Sequence, residues 1–86
     1  MAGIKPEILR FAQVMETVTE EEDPGGSLLN KVEYVDDDEL YESLQTEVYE
    51  LQDELLRPTY DAKRIVREAV GVAYVAMAIA SKYWDK

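Results

Sequence analysis

Three glutamates recur along one predicted helix at a spacing that could serve chemistry. Glu47, Glu50 and Glu54 are separated by three and four residues, and residues so spaced are neighbours on a helix surface. At 100° per residue they form a stripe beside an apolar stripe, with Glu47 roughly 20° from its edge. The apolar stripe consists of Leu40, Leu44, Leu51 and Leu55. Three carboxylates are therefore expected along the edge of the core.

Glu68 is an acid on the core-facing stripe of the last predicted helix. Its companions four, seven and eleven positions further on are Val72, Val75 and Ile79. Burying an ionised carboxylate without a partner costs several kcal/mol, so a partner is expected. The spacing allows two: Arg64, one turn earlier, or a cation shared with the glutamates of the preceding helix.

The amino-acid composition narrows the chemistry further. The chain has 86 residues, 19 acidic and 9 basic, for a formal net charge of −10, and it contains neither cysteine nor histidine. Disulfides, thiolate or imidazole metal sites and Ser-His-Asp triads are therefore excluded. Any metal is expected to be a hard cation bound by oxygen.

The acidic residues are concentrated in the middle of the chain, where fifteen acids and one lysine lie between residues 16 and 56. This argues against duplex nucleic acid as a partner, because affinity for DNA comes from Lys and Arg on phosphates. The longest uncharged run, residues 69–81, has 13 residues and is shorter than the roughly 20 needed to cross a bilayer. No signal-peptide pattern is visible, so we expect a cytoplasmic protein with no membrane partner.

Hydrophobic periodicity and helix-ending residues predict three long helices in one domain of residues 1–86. The first spans about 6–22, because Pro6 suits a first turn and the run DPGG at 23–26 ends it. The second spans about 37–56, between an aspartate cap at 36 or 37 and the Pro at 58. The third spans about 61–84. Residues 27–35 are predicted to be a short helix or an irregular arm, although 31–35 also alternate like a strand.

The last predicted helix is apolar on all sides, with Ile65, Val70 and Val75 pointing in different directions. Such a helix must be buried on all sides, which a single long partner helix cannot achieve. We therefore expect a second copy of the chain to cover it. The expected fold is all-α: a helical hairpin with an additional N-terminal helix, assembling into a four-helix-bundle-like homodimer or tetramer.

The two helices with glutamates resemble a known family. Residues 47–51 (EVYEL), followed after a Pro-containing turn by residues 67–71 (REAVG), resemble the ExxE…ExxD signature of the MazG-like all-alpha nucleoside triphosphate pyrophosphohydrolases. The similarity is closest to the small single-domain members common in phages. Residues 11–16 and 73–80 are similar to the first and last helices of that family, so the resemblance covers most of residues 8–81.

The resemblance implies a Mg²⁺-dependent enzyme, with Mn²⁺ as a substitute, that cleaves a nucleoside or deoxynucleoside triphosphate to the monophosphate and pyrophosphate. The metal ligands it implies are Glu47, Glu50 and Glu68, with Glu54 as an outer or second-metal ligand. The phosphate contacts it implies are Lys63, Arg64 and Arg67. No catalytic side chain is assigned beyond the metal ligands. For a phage-encoded chain, the expected location is the host cytoplasm.

Gly71 stands where the family carries its fourth acid. With that carboxylate missing, two functions stay open: hydrolysis of a nucleotide, or binding of a nucleotide without turnover. A plain helical oligomerisation module, with the acids as surface groups, is a third alternative. If the acids enclose a metal, Gly71→Asp is expected to tighten Mg²⁺ binding.

Overall fold

The structure is a computed structural model that describes residues 3–59 and 61–86. It confirms the all-α prediction: the described residues form helices and contain no strand. The elements are α1 (Pro6–Glu22), α2 (Ser27–Lys31), a 3₁₀ turn (Val32–Tyr34), α3 (Asp37–Leu56) and α4 (Ala62–Tyr83). None of the described helices is both long enough and apolar enough to cross a membrane.

Local signals account for where the long helices begin and end. Pro6 occupies the first turn of α1, where its missing N–H costs nothing. Gly25 and Gly26 after α1 have φ of 80° and 64°, a left-handed conformation that favours glycine. The Asp61 carboxylate accepts a hydrogen bond from the Arg64 backbone N–H at 3.3 Å and so caps α4. Residues 27–34 form α2 and the 3₁₀ turn, so the strand-like alternation at 31–35 does not produce a strand.

Helices α3 and α4 form a hairpin whose packing is more extensive than that between any other two elements. Leu40 near the start of α3 lies in one cluster with Ala78 near the end of α4 and with Val32 of the 3₁₀ turn. Three further α4 side chains, Val70, Tyr74 and Val75, are also buried. The core is thin for 86 residues, and α1 contributes no buried residue to it.

The buried face of α3 is rotated from the one that the leucine spacing predicts. Glu54 is only 6% exposed, whereas Leu55, a member of the predicted apolar stripe, is 60% exposed. Glu54 is stabilised inside by ion pairs from Oε1 to Arg64 Nε at 3.1 Å and to Arg57 Nε at 3.3 Å. The contact face of α3 therefore lies between the leucine stripe and the glutamate stripe.

Polar contacts join α1 and its following turn to α4. The Tyr74 hydroxyl donates to Asp23 Oδ2 at 2.9 Å, and Asp23 also accepts from the Ser27 hydroxyl and the Leu28 N–H. These donors hold the pKa of Asp23 below its usual value, with the Ser27 hydroxyl making the largest contribution. Asp23 thus fixes the turn between α1 and α2 against the middle of α4.

We predict that Tyr74→Phe destabilises the fold by about 1 kcal/mol, because it removes a hydrogen bond between a buried hydroxyl and a carboxylate. Urea unfolding followed by circular dichroism measures the change. Tyr41→Phe is the matched control, since Tyr41 is 63% exposed and its substitution should leave the free energy of unfolding unchanged. Equal effects of the two substitutions would contradict a role for Tyr74 in fixing the turn.

Candidate functional site

A cleft of about 370 Å³ lies where the end of α1 faces α3 and α4. Its walls carry five carboxylates, and Arg67 is the one cation among the described lining residues. The carboxylates belong to Glu22, Asp23, Glu47, Glu50 and Glu68. The cleft is therefore strongly negative and is suited to a positively charged ligand.

Three of these carboxylates converge from two helices. Glu47 and Glu50 lie one turn apart on α3 and Glu68 lies on α4, and one oxygen of each falls within 4.8 Å of the others. None of the three forms an ion pair with a Lys or Arg in the part of the chain that the structure describes. We call these residues the glutamate triad.

The pKa values of Glu47 and Glu68 reflect this uncompensated charge. Burial, together with the neighbouring carboxylates of Glu50, Glu47 and Glu54, raises the pKa of Glu68 to about 7. Burial, and then the charges of Glu50 and Glu22, raises the pKa of Glu47. Without a cation, the fold therefore favours the protonated forms of Glu47 and Glu68.

Gly71 provides the space that Glu47 uses. A Cβ at position 71 would collide with Glu47 Oε2 and lie 3.1 Å from Glu47 Cδ. The structure therefore changes the expectation for Gly71→Asp, because any side chain at 71 must first displace a triad carboxylate. In this chain the Glu47 carboxylate occupies the space beside the α4 backbone that the glycine leaves open.

Arg67 lies at the cleft but is already bound by α1. Its Nη1 donates to Glu22 Oε1 at 2.6 Å and its Nη2 donates to Glu21. The two carboxylates raise the pKa of Arg67, with the hydrogen bond to Glu21 as the largest cause. An anionic ligand in the cleft would share this guanidinium or compete for it.

The structure places the sequence-predicted residues in different surroundings. Glu47, Glu50 and Glu68 come together, whereas Glu54 lies outside the triad in its ion pairs with Arg57 and Arg64. Of the three predicted phosphate contacts, Arg67 lines the cleft, and Arg64 and Lys63 do not. Arg64 pairs with Glu54 and not with Glu68, so the ion pair considered for Glu68 one turn earlier does not form.

Sequence reasoning missed the contribution of α1. Glu22 and Asp23 line the cleft, but in the sequence they belong to the acidic run EEED at 20–23 before a Pro-Gly-Gly break, which is typical of a solvated helix end. One feature of the sequence did point to a partner for this helix end: three glutamates at the negative end of a helix dipole repel it and favour a nearby cation. In the structure that cation is Arg67.

The donor set fits a divalent metal that prefers oxygen. Mg²⁺ is bound in proteins through a few carboxylates, with water and substrate phosphates completing the octahedron. The triad offers oxygens from two helices at mutual distances up to 4.8 Å, at the wall of an open cleft with room for further ligands. Mn²⁺ accepts the same ligands.

Comparisons of the chain with models of protein families, with curated proteins and with solved structures found no match.

The pKa of Glu68 predicts how stability depends on pH. The folded-state pKa of about 7 exceeds the ordinary value of 4.5, so the folded state holds the Glu68 proton more tightly than the unfolded state. The resulting contribution of Glu68 to the free energy of unfolding is fully present below pH 4.5 and is lost as pH rises through 7. In EDTA, Glu68→Gln should match the wild type in melting temperature at pH 5 and exceed it at pH 8. Melting curves at both pH values test this, and equal melting temperatures at pH 8 would refute the repulsion within the triad.

Gly71→Ala should weaken Mg²⁺ binding at least several-fold, because the new Cβ displaces the Glu47 carboxylate. The fold should persist, since Ala is favoured over Gly within a helix by about 1 kcal/mol. Calorimetric titration with Mg²⁺ gives the affinity. In a Glu47→Gln background the same substitution should have no further effect, and a further loss there would show that position 71 acts by another route.

Proposed function

We propose that the chain is a MazG-like protein that binds Mg²⁺ at Glu47, Glu50 and Glu68 and, together with it, the phosphates of a nucleoside triphosphate. The proposed reaction is hydrolysis to the monophosphate and pyrophosphate. The observation that carries the proposal is the convergence of three carboxylates from α3 and α4 without an ion-pair partner among the described residues. This is the arrangement implied by the resemblance of residues 47–51 and 67–71 to the family signature.

The cleft supports a ligand of this size and charge. Its volume of about 370 Å³ falls within the range of roughly 300–1,000 Å³ for small-molecule sites. A triphosphate cannot approach a cleft with five carboxylates unless cations accompany it, because like charges repel strongly at these distances. Bound Mg²⁺ supplies Lewis acidity toward phosphoryl oxygens.

The protein's own residues would then have distinct tasks. Glu47, Glu50 and Glu68 hold the metal against two helices and so fix its position. Arg67 donates to a phosphate oxygen with the guanidinium hydrogens that Glu21 and Glu22 leave free, a geometry in which Arg binds phosphates well. Glu22, on the α1 wall of the cleft, repels anions that arrive without a metal.

Binding of a nucleotide without turnover is the second candidate function. Gly71 favours it, because the Glu47 carboxylate occupies the space where a fourth acid would project from α4. Three carboxylates can retain a metal and its nucleotide while offering no further base for hydrolysis. Such a protein would sequester a nucleotide.

The proposal includes self-association and, for a phage-encoded chain, action in the host cytoplasm. Helix α4 has exposed apolar residues that its own chain does not cover, such as Val66. A homodimer or tetramer resembling a four-helix bundle would cover them.

Turnover is tested with purified protein, Mg²⁺ or Mn²⁺ and a panel of nucleoside and deoxynucleoside triphosphates. We predict release of pyrophosphate, not orthophosphate, and a loss of at least 100-fold in Glu50→Gln. Glu42→Gln is the matched control, because Glu42 is exposed on the same helix and lies outside the cleft lining. This control should retain full activity.

A thermal shift with metal and nucleotide separates the remaining alternatives. Stabilisation that depends on Glu50, without turnover, supports the binding protein over the enzyme. Absence of both turnover and any metal or nucleotide effect on melting would leave a plain helical interaction module and overturn the proposal.

A further inference from the structure

Helix α1 has the weakest packing of the three long helices. None of its side chains is buried, and α4 is the one helix of the described chain against which it packs. Its half-buried residues are Val14, Met15, Val18 and Thr19. Most helical stability in proteins comes from tertiary packing, so the position of α1 depends on the polar contacts at its carboxyl end.

Two ion pairs from Arg67 hold that end of α1 at the rim of the cleft. Arg67 Nη1 lies 2.6 Å from Glu22 Oε1, and Arg67 Nη2 binds Glu21 Oε2. We call these two ion pairs the Arg67 clamp. Their side chains are between 43% and 63% exposed, and exposed ion pairs contribute little to stability. The clamp is therefore easily disrupted by a competing charge.

The acidic end of α1 is repelled by the wall of the cleft that it faces. Glu22 lies close enough to Glu47 for its charge to raise the pKa of Glu47. Glu20, Glu21 and Glu22 also follow one another at the negative end of the α1 dipole, where anions are unfavourable. Arg67 is the one cation among the described residues of the cleft lining. The Arg67 clamp therefore offsets a repulsion that would otherwise move α1 away from the cleft.

A phosphate in the cleft would act on the Arg67 clamp directly. Arg binds carboxylates and phosphates through the same planar set of N–H donors. Glu21 and Glu22 occupy a donor on each Nη of Arg67, and a guanidinium has five donors, so a phosphate can bind to those that remain. Its negative charge then lies beside both carboxylates and repels them. The attraction that holds α1 is weakened, and α1 has no buried side chain to retain it.

Asp23 provides a pivot for α1 that does not involve Arg67. Its carboxylate accepts hydrogen bonds from the Tyr74 hydroxyl at 2.9 Å and from the Leu28 backbone N–H at 3.2 Å. These contacts anchor the turn after α1 to α4 and α2. When the clamp weakens, α1 can rotate about this anchored turn, which moves its cleft-lining residues, such as Val18, away from α4.

We infer that α1 is a lid of the cleft which the Arg67 clamp keeps closed, and that a phosphate bound to Arg67 opens it. The inference rests on the proposed function, because it takes a phosphate as the ligand of the cleft. Coupling between two equilibria is reciprocal. A lid that phosphate opens must therefore weaken phosphate binding as long as the lid is closed.

Amide hydrogen exchange of the full chain tests the lid, with excess Mg²⁺ in every sample and inorganic pyrophosphate as the probe. Saturating pyrophosphate should speed exchange in residues 14–22 at least several-fold and leave the core amides of Leu40 and Val70 unchanged. Arg67→Gln should show fast exchange in 14–22 without pyrophosphate, with the same core amides confirming its fold. Unchanged or slower exchange in 14–22, while calorimetry shows that pyrophosphate binds, would overturn the inference.

The affinity for pyrophosphate tests the coupling in the other direction. The double variant Glu21→Gln/Glu22→Gln should bind Mg²⁺–pyrophosphate roughly 10-fold more tightly than the wild type, because it removes the carboxylates that compete for Arg67. Glu16→Gln/Glu20→Gln is the matched control: it removes the same charge from exposed positions of α1 that lie outside the cleft lining. Equal gains in the two double variants would show a general effect of charge and overturn the inference.

The lid and the proposed hydrolysis fail in different ways. Pyrophosphate binding with faster exchange in α1, but without turnover of any nucleoside triphosphate, would refute hydrolysis and support the lid. Turnover with unchanged exchange in α1 would support hydrolysis and refute the lid. Absence of pyrophosphate binding to both the wild type and Glu21→Gln/Glu22→Gln would overturn both proposals.

Discussion

The mutual repulsion of Glu47, Glu50 and Glu68 is the constraint on which the cleft depends. Their oxygens lie within 4.8 Å of one another, and none has a basic partner among the described residues. A fold that only needed a stable core would separate them or pair them. The raised pKa values of Glu47 and Glu68, about 7 at Glu68, show the cost of holding the carboxylates together, and a bound cation would remove that cost.

Neighbouring features follow from this constraint. Glu54, the next acid along the stripe, is the one that pairs with arginines: Arg57 and Arg64 form ion pairs with it, which compensate its burial. Gly71 gives Glu47 room to turn toward α4. Arg67 binds Glu21 and Glu22, which holds the acidic end of α1 at the rim of the cleft in spite of its charge.

The sequence predicted the helices and the shared side of Glu47 and Glu50 because both depend on local patterns, whereas spacing alone left Arg64 open as the partner of Glu68 and only the family resemblance grouped Glu68 with them. Proline at 6, the DPGG break and the Asp61 cap act within one or two turns, and the spacing of Glu47 and Glu50 places them on one side of α3 whatever α3 packs against. The burial of Glu54 in place of Leu55 was not predictable from the sequence, because Glu54 is stabilised by an ion pair with Arg64, which lies on another helix. The contribution of α1 to the cleft was not predicted for the same reason. Glu22 and Arg67 are 45 residues apart in the sequence, and no local pattern indicates a contact between them.

The central claim is that the triad, and not the general acidity of the chain, binds the metal. Titration of ¹⁵N-labelled protein with Mn²⁺ at substoichiometric amounts tests it, because paramagnetic broadening falls steeply with distance from the ion. We expect the amide signals of Glu47, Glu50, Glu68 and Gly71 to broaden first, and Mg²⁺ to reverse the effect. Broadening that is strongest at the exposed acidic run 36–39, or equal along all acidic segments, would contradict the claim.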